Sequence, residues 1–257
     1  MLQLLGNLAS VPMLQATNIP VEPVGYWLLY TALSFILIGI SLFIARQIRL
    51  GASLLEGLLK KEEITDWAKR VLALSLLFAI VGSMFILLLN LNTDPESVPA
   101  IWKIILASID AGVQEEIFYR FFLMTLLVWL GGLIWQDKDG KPKKFVFWTA
   151  IGISAIIFAW AHLDDKIVNP EIPASSAAYV TAMMVNASLG IILGWLYWKY
   201  GLESAMLAHF LIDAIGIGIV MPVYLSSNLL LQVAVITGLL LVAVAFWHML
   251  MNSSIQL

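Results

Sequence analysis

The sequence of 257 residues contains no cysteine. Disulfides, thiolate nucleophiles and thiolate–metal sites are therefore excluded. Charge is also scarce: Asp, Glu, Lys and Arg make up 12% of the chain, where an average soluble domain has about 25%. Only three histidines occur, His162, His209 and His248. No H-E-x-x-H run is present, so the commonest zinc-protease signature is missing. The net charge is −3 with no basic stripe, which leaves no electrostatic footprint for nucleic acid. The first Lys or Arg is Arg46, so the chain does not start with the basic region of a secretory signal. Internal repeats and low-complexity tracts are absent.

What remains is apolar. The chain is 61% hydrophobic, with a mean hydropathy of +0.93. This composition predicts an all-α, polytopic transmembrane helical bundle of about 7–8 spans, at roughly 20 residues per crossing. Residues 1–25, with Pro12, Pro20 and Pro23, read as an interfacial lead-in. Residues 26–257 read as a single transmembrane helical domain. Uncharged or nearly uncharged runs predict spans over 27–45, 71–89, 145–161, 177–198, 204–221 and 229–250. The run 177–198 is rich in Ala, Ser and Gly, which permits close helix contact. Thr65-Asp66 is a helix start.

The segment 100–135 is too long for one straight crossing of a hydrocarbon core about 30 Å thick. It is expected either to tilt and extend past the membrane or to break near Gly112. If it crosses once, the loops around 46–70 and 136–144 lie on one side. They hold most of the Lys and Arg, so that side is expected to be cytoplasmic, with the N-terminus outside and the C-terminus cytoplasmic. A re-entrant hairpin would invert everything after it.

Inside 100–135 lies the run Asp110-Ala111-Gly112-Val113-Gln114-Glu115-Glu116-Ile117-Phe118-Tyr119-Arg120. A charged side chain at the centre of a bilayer costs at least about 2.5–3.5 kcal/mol, so such groups usually face a protein-lined cavity. Glu116 and Arg120 are four apart and share a helix face, either as an ion pair or as part of a site. Glu115 points about 100° away from Glu116 on a helix, so the two are expected to have different jobs. Asp110 reads as the cap of the helix containing Gln114. His209 and Asp213 share a second helix face, and His162 ends a third apolar run. His248, beside Trp247, reads as an interface residue.

Glu115, Glu116, Arg120, His162, His209 and Asp213 thus come from three spans and are expected to form one polar pocket. Such a pocket suits water activation. A desolvated carboxylate can act as a general base near neutral pH. A neutral imidazole can hold the water or take its proton, and a second His with an Asx residue can donate to an oxyanion. Glu115, His162 and His209 are also acceptable zinc ligands, so a metal site is the competing reading, though no cofactor is required. A proton or ion path is the third reading.

In order, Glu115-Glu116-x-x-x-Arg120, Phe158-x-x-x-His162 and His209-x-x-x-Asp213 resemble the three motifs of the CPBP intramembrane protease family. That family includes the type II CAAX prenyl endopeptidases and the bacterial Abi proteins. The resemblance covers about 100–218. It implies a helical-bundle glutamate protease in which Glu115 and His162 activate water. His209 and residue 213 would form the oxyanion hole, with Glu116 and Arg120 in support. The CAAX-processing branch typically has Asn where this chain has Asp213. An ionised Asp would repel an oxyanion, so Asp213 must be protonated or paired with His209.

The expected function is intramembrane hydrolysis of a peptide bond in a membrane-associated peptide or protein. The alternative is a non-catalytic membrane partner of the same fold, an immunity or assembly factor that binds a peptide or helix. Either way the expected partners are such a polypeptide, the lipid bilayer and possible neighbouring membrane proteins, with no nucleic acid.

Overall fold

The computed structural model describes residues 23–89, 99–163 and 176–252. The lead-in expected over 1–25 therefore falls almost wholly outside the described residues, and the first helix already starts at Pro23. In chain order the helices are α1 (Pro23–Ile48), α2 (Ser53–Lys60), α3 (Thr65–Leu89), α4 (Ile101–Glu115), α5 (Thr125–Gly132), α6 (Lys144–Ala161), α7 (Ser176–Tyr200), α8 (Leu202–Ile215), α9 (Met221–Leu225) and α10 (Leu229–Asn252). No β-strand occurs among the described residues; Gln136 and Pro142 form one isolated bridge in the α5–α6 loop. This is the all-α bundle that the hydropathy predicts.

Among the described residues, six helices are long and apolar enough to cross a bilayer. The stretch from Ile101 to Gly132 is not one of these six, against an expectation of about 7–8. It does not break near Gly112. It runs as one rod, α4 and α5 joined by a π-helical stretch, Glu116–Met124. π-helical segments inside α-helices recur at functional sites. A second one, Gly216–Val220, joins α8 to α9.

Side-chain contacts fix which helix ends lie together. Trp129 Nε1 donates to Gln47 Oε1 at 3.0 Å. The Leu202 N–H donates to the Gly51 carbonyl at 3.0 Å, and Phe147 stacks on Trp198 at 4.7 Å. These contacts gather the C-terminal ends of α1, α5 and α7 with the start of α6 and α8. This end of the bundle carries the basic residues of 46–70 and 138–144. At the other end Ile86, near the end of α3, lies against Gly216, and Ile101, at the start of α4, lies against Gly218.

The small residues of α7 do what their spacing predicts. A Cβ at Gly190 would stand 2.9 Å from the backbone of Ala155, and one at Gly194 would touch Ile151. α6 and α7 therefore pack nearly backbone to backbone. The long apolar faces on the outside, such as that of α10 with Leu230, Leu241 and Val244 exposed, are what a lipid-facing helix presents. Helix α2 is different. It is short, with exposed Leu55, Leu58 and Leu59 beside Glu56 and Lys60, and suits the interface.

Candidate active site

The site is built where the rod, α6 and α8 meet. α4 ends at Glu115 and the π-helical stretch opens at Glu116. The widened turn changes which way successive side chains point, and neighbours anchor it. Ser154 Oγ of α6 donates to the Tyr119 carbonyl at 2.7 Å. Thr125 Oγ1 lies 3.3 Å from the Arg120 carbonyl and 2.7 Å from the Tyr197 hydroxyl.

The two glutamates separate as their angular offset predicts. Glu116 is fully buried. Its Oε1 lies 3.1 Å from Arg120 Nη1 and 2.8 Å from His209 Nδ1. Arg120 is equally buried, yet well surrounded: Nη2 lies 3.4 Å from the Gly190 carbonyl and Cζ sits 4.5 Å from the Phe158 ring centroid. A buried ion pair adds little net stability, because desolvation offsets the attraction. What this one does is hold His209 by one nitrogen.

Glu115 faces a cavity of about 280 Å³, lined also by His162, His209, Asp213, Phe158 and Asn186. Its Oε2 has no hydrogen-bond partner among the described residues. That oxygen lies 3.5 Å from His162 Nε2 and 4.0 Å from His209 Nε2. His162 Nδ1 is 2.8 Å from the Phe158 carbonyl. A carbonyl only accepts, so Nδ1 carries the hydrogen, and in a neutral ring the lone pair of Nε2 points towards Glu115. A water placed between two such acceptors would donate one proton to each.

His209 Nε2 also lies 3.6 Å from Asp213 Oδ2. Of the two states required of Asp213, this spacing favours pairing with His209. Exposure grades through the site: Glu115 is 30% exposed, His162 27%, Asp213 17%, His209 7% and Arg120 1%. One end of the constellation is partly exposed and the other is packed.

All six residues expected from the sequence therefore meet at one place. Asp110 does not cap anything. It lies within α4, whose N-cap is Ala100, and its Oδ1 has no hydrogen-bond partner among the described residues. His248 lies on the exposed side of α10. Two further residues contribute to the site. Phe158 is more than a motif letter: its ring packs 4.3 Å from the His162 ring and 6.0 Å from His209, and its carbonyl orients His162. Asn186 of α7 is buried at the cavity wall and donates to the Ala182 carbonyl at 2.9 Å. In sequence it looks like one more small polar residue in an Ala-rich helix. Among the described residues, no three His, Asp or Glu side chains are grouped so as to hold a metal ion.

A bundle of apolar spans around this cavity is an integral, multi-pass membrane protein. The segment that builds the site, residues 97–215, matches the family described as type II CAAX prenyl endopeptidase Rce1-like. The match covers 119 of the 257 residues and agrees with the resemblance that the three motifs carry. No curated protein and no solved structure matches the chain.

Proposed function

We propose that this protein is an intramembrane endopeptidase of the glutamate type, acting on a membrane-associated peptide or protein. The observation that carries the reading is the facing pair Glu115 Oε2 and His162 Nε2, 3.5 Å apart, with His162 Nδ1 committed to a backbone carbonyl. Water bound between them loses a proton to Glu115 as its oxygen attacks the scissile carbonyl carbon. His209 acts as the imidazolium: its Nδ1–H is held by the Glu116 carboxylate, and its Nε2–H is donated to the oxyanion. Collapse of the tetrahedral species expels the amine, which takes the proton stored on Glu115. Water and a peptide bond become a carboxyl and an amino group, with no proton left over. Glu116 and Arg120 act as positioning residues.

Asp213 cannot donate to an oxyanion while ionised, and Asn186 offers the amide that it lacks on the same cavity wall. The presence of Asp213 also favours the second reading, a non-catalytic member of the fold that binds a peptide or helix. A comparison of membrane peptides from cells with wild type and with Glu115→Ala or His162→Ala separates the two. A product formed only with wild type supports the protease. Full biological effect in both variants contradicts it. Activity lost to a chelator and restored by zinc would instead favour a metal held by Glu115, His162 and His209.

The same reading includes an orientation. Six of the 14 Lys and Arg lie in 46–70, four in 138–144, and Lys199 joins them at that end of the bundle. Cytoplasmic loops carry the excess of basic residues. That end is therefore cytoplasmic, with the N-terminus outside and the C-terminus inside.

A further inference from the structure

The cavity is not symmetric across the bundle. On the side of the basic loops its floor is closed. Met124, Val128, Leu196 and Tyr197 are essentially without exposure, as are Ser204 and Ala205 at the start of α8. The Thr125–Tyr197 hydrogen bond, 2.7 Å, ties the rod to α7 across this layer. Interiors of this kind are close-packed and leave no path for water or a chain. On the opposite side the cavity is bounded by Ile86 and Leu89 near the end of α3, His162 just past the end of α6, and Ile217 beyond Asp213. Those are the helix ends far from the basic loops. The described residues there hold a single basic side chain, Lys103. The most exposed members of the constellation, Glu115 and His162, stand on this side, and the least exposed, Arg120 and Glu116, lie within.

Taken with the orientation proposed above, on which it rests, we infer that the site opens to the non-cytoplasmic face and takes a polypeptide presented there. The substrate class is an extended stretch in a translocated peptide, or the outer juxtamembrane segment of a membrane protein, and not a cytoplasmic tail. A cavity of about 280 Å³ lies at the small end for ligand sites, so it admits a short extended stretch and no folded domain. The Ile86, Leu89, Leu189 and Ile217 walls select apolar side chains beside the scissile bond.

The natural chain has no cysteine, so single cysteines report sidedness directly. Leu89→Cys and Ile217→Cys at the cavity mouth, and Lys138→Cys in the basic loop, are treated with a membrane-impermeant maleimide. Sealed right-side-out and inverted vesicles are compared. Leu89→Cys and Ile217→Cys react in right-side-out vesicles and lose labelling on inversion, while Lys138→Cys does the reverse. If the mouth cysteines react from the same face as Lys138→Cys, or from neither, the inference is overturned. Two variants guard against one that fails to fold. Labelling needs no turnover, so it stands or falls apart from the protease reading. In a second arm, reporters carry the same apolar segment outside or inside the membrane. Cleavage of the outer one alone supports the substrate class, and cleavage of the inner one overturns it. Correct labelling with neither reporter cut overturns the substrate class and counts against the protease reading, and leaves the opening standing.

Discussion

Two cavities lie on either side of the seam between α4 and α8. The larger, about 520 Å³, is walled by α2, α3, α4 and α8 through Trp67, Val71, Ile109, Met206 and Phe210. Its one carboxylate, Glu203, has one oxygen accepting from the Leu55 N–H at 2.9 Å. The smaller, about 280 Å³, gathers two carboxylates, two imidazoles and an amide from four helices. At the seam a Cβ on Gly112 would stand 3.0 Å from the Met206 carbonyl, so nothing larger than glycine fits there without movement. Volume does not distinguish the site. The convergence of scarce ionisable groups from separate helices does, because each is costly to bury and would not be there without compensation.

The contrast can be broken from its strongest point downwards. Removing the base should have the largest effect. Glu115→Gln is expected to lower turnover by about 10²–10⁴-fold, the usual share of a general base, with the melting temperature in detergent unchanged. A variant that cuts as fast as wild type would remove the chemical distinction between the two cavities. Next comes the buried pair. Arg120→Leu leaves Glu116 uncompensated in the core and should cost about 3–5 kcal/mol of stability. Arg120→Met with Glu116→Gln should be far milder in the same denaturation assay. Equal losses in the two would mean that charge compensation is not what holds His209.

Smaller effects sharpen the comparison. Gly190→Ala forces α6 and α7 apart at Ala155 and shifts the carbonyl that meets Arg120. Overpacking of this kind costs about 1–3 kcal/mol, readable as a lower melting temperature and slower turnover together. Asn186→Ala removes one hydrogen-bonding group, worth about 1.4 kcal/mol or tenfold in kcat, and Asp213→Asn beside it should restore part of the loss. At the small end, Leu207→Phe fills the larger cavity. Turnover is expected to stay within about twofold, since a change away from the site rarely shifts the energy by more than about 0.5 kcal/mol. A large loss would assign that cavity a part in the reaction.

Much of this is legible in the sequence. The spans follow from hydropathy, because an exposed backbone in lipid must be helical. The start of α3 at Thr65 is as expected. Glu116 and Arg120 pair as their spacing of four suggests. One reading failed for a local reason, and one of two open alternatives fell away. The helix starts at Ile101, nine residues before Asp110, so that residue has no free turn to cap. Gly112 looks like a break point, yet here it serves close packing against Met206 and Phe210. Other features lie beyond a single-chain pattern. Within the π-helical stretch the Tyr119 carbonyl accepts from the hydroxyl of Ser154, 35 residues on. The hold of Glu116 on His209 spans 93 residues. Asn186 acquires meaning only through the cavity that it lines.

The most direct test is hydrolysis by the purified protein in proteoliposomes, in ¹⁸O-labelled water with a chelator present. The new carboxyl terminus of the product is read by mass spectrometry. The account predicts label in that carboxyl for wild type and no product for Glu115→Gln. Product formed equally by Glu115→Gln would contradict the claim that this carboxylate activates the water.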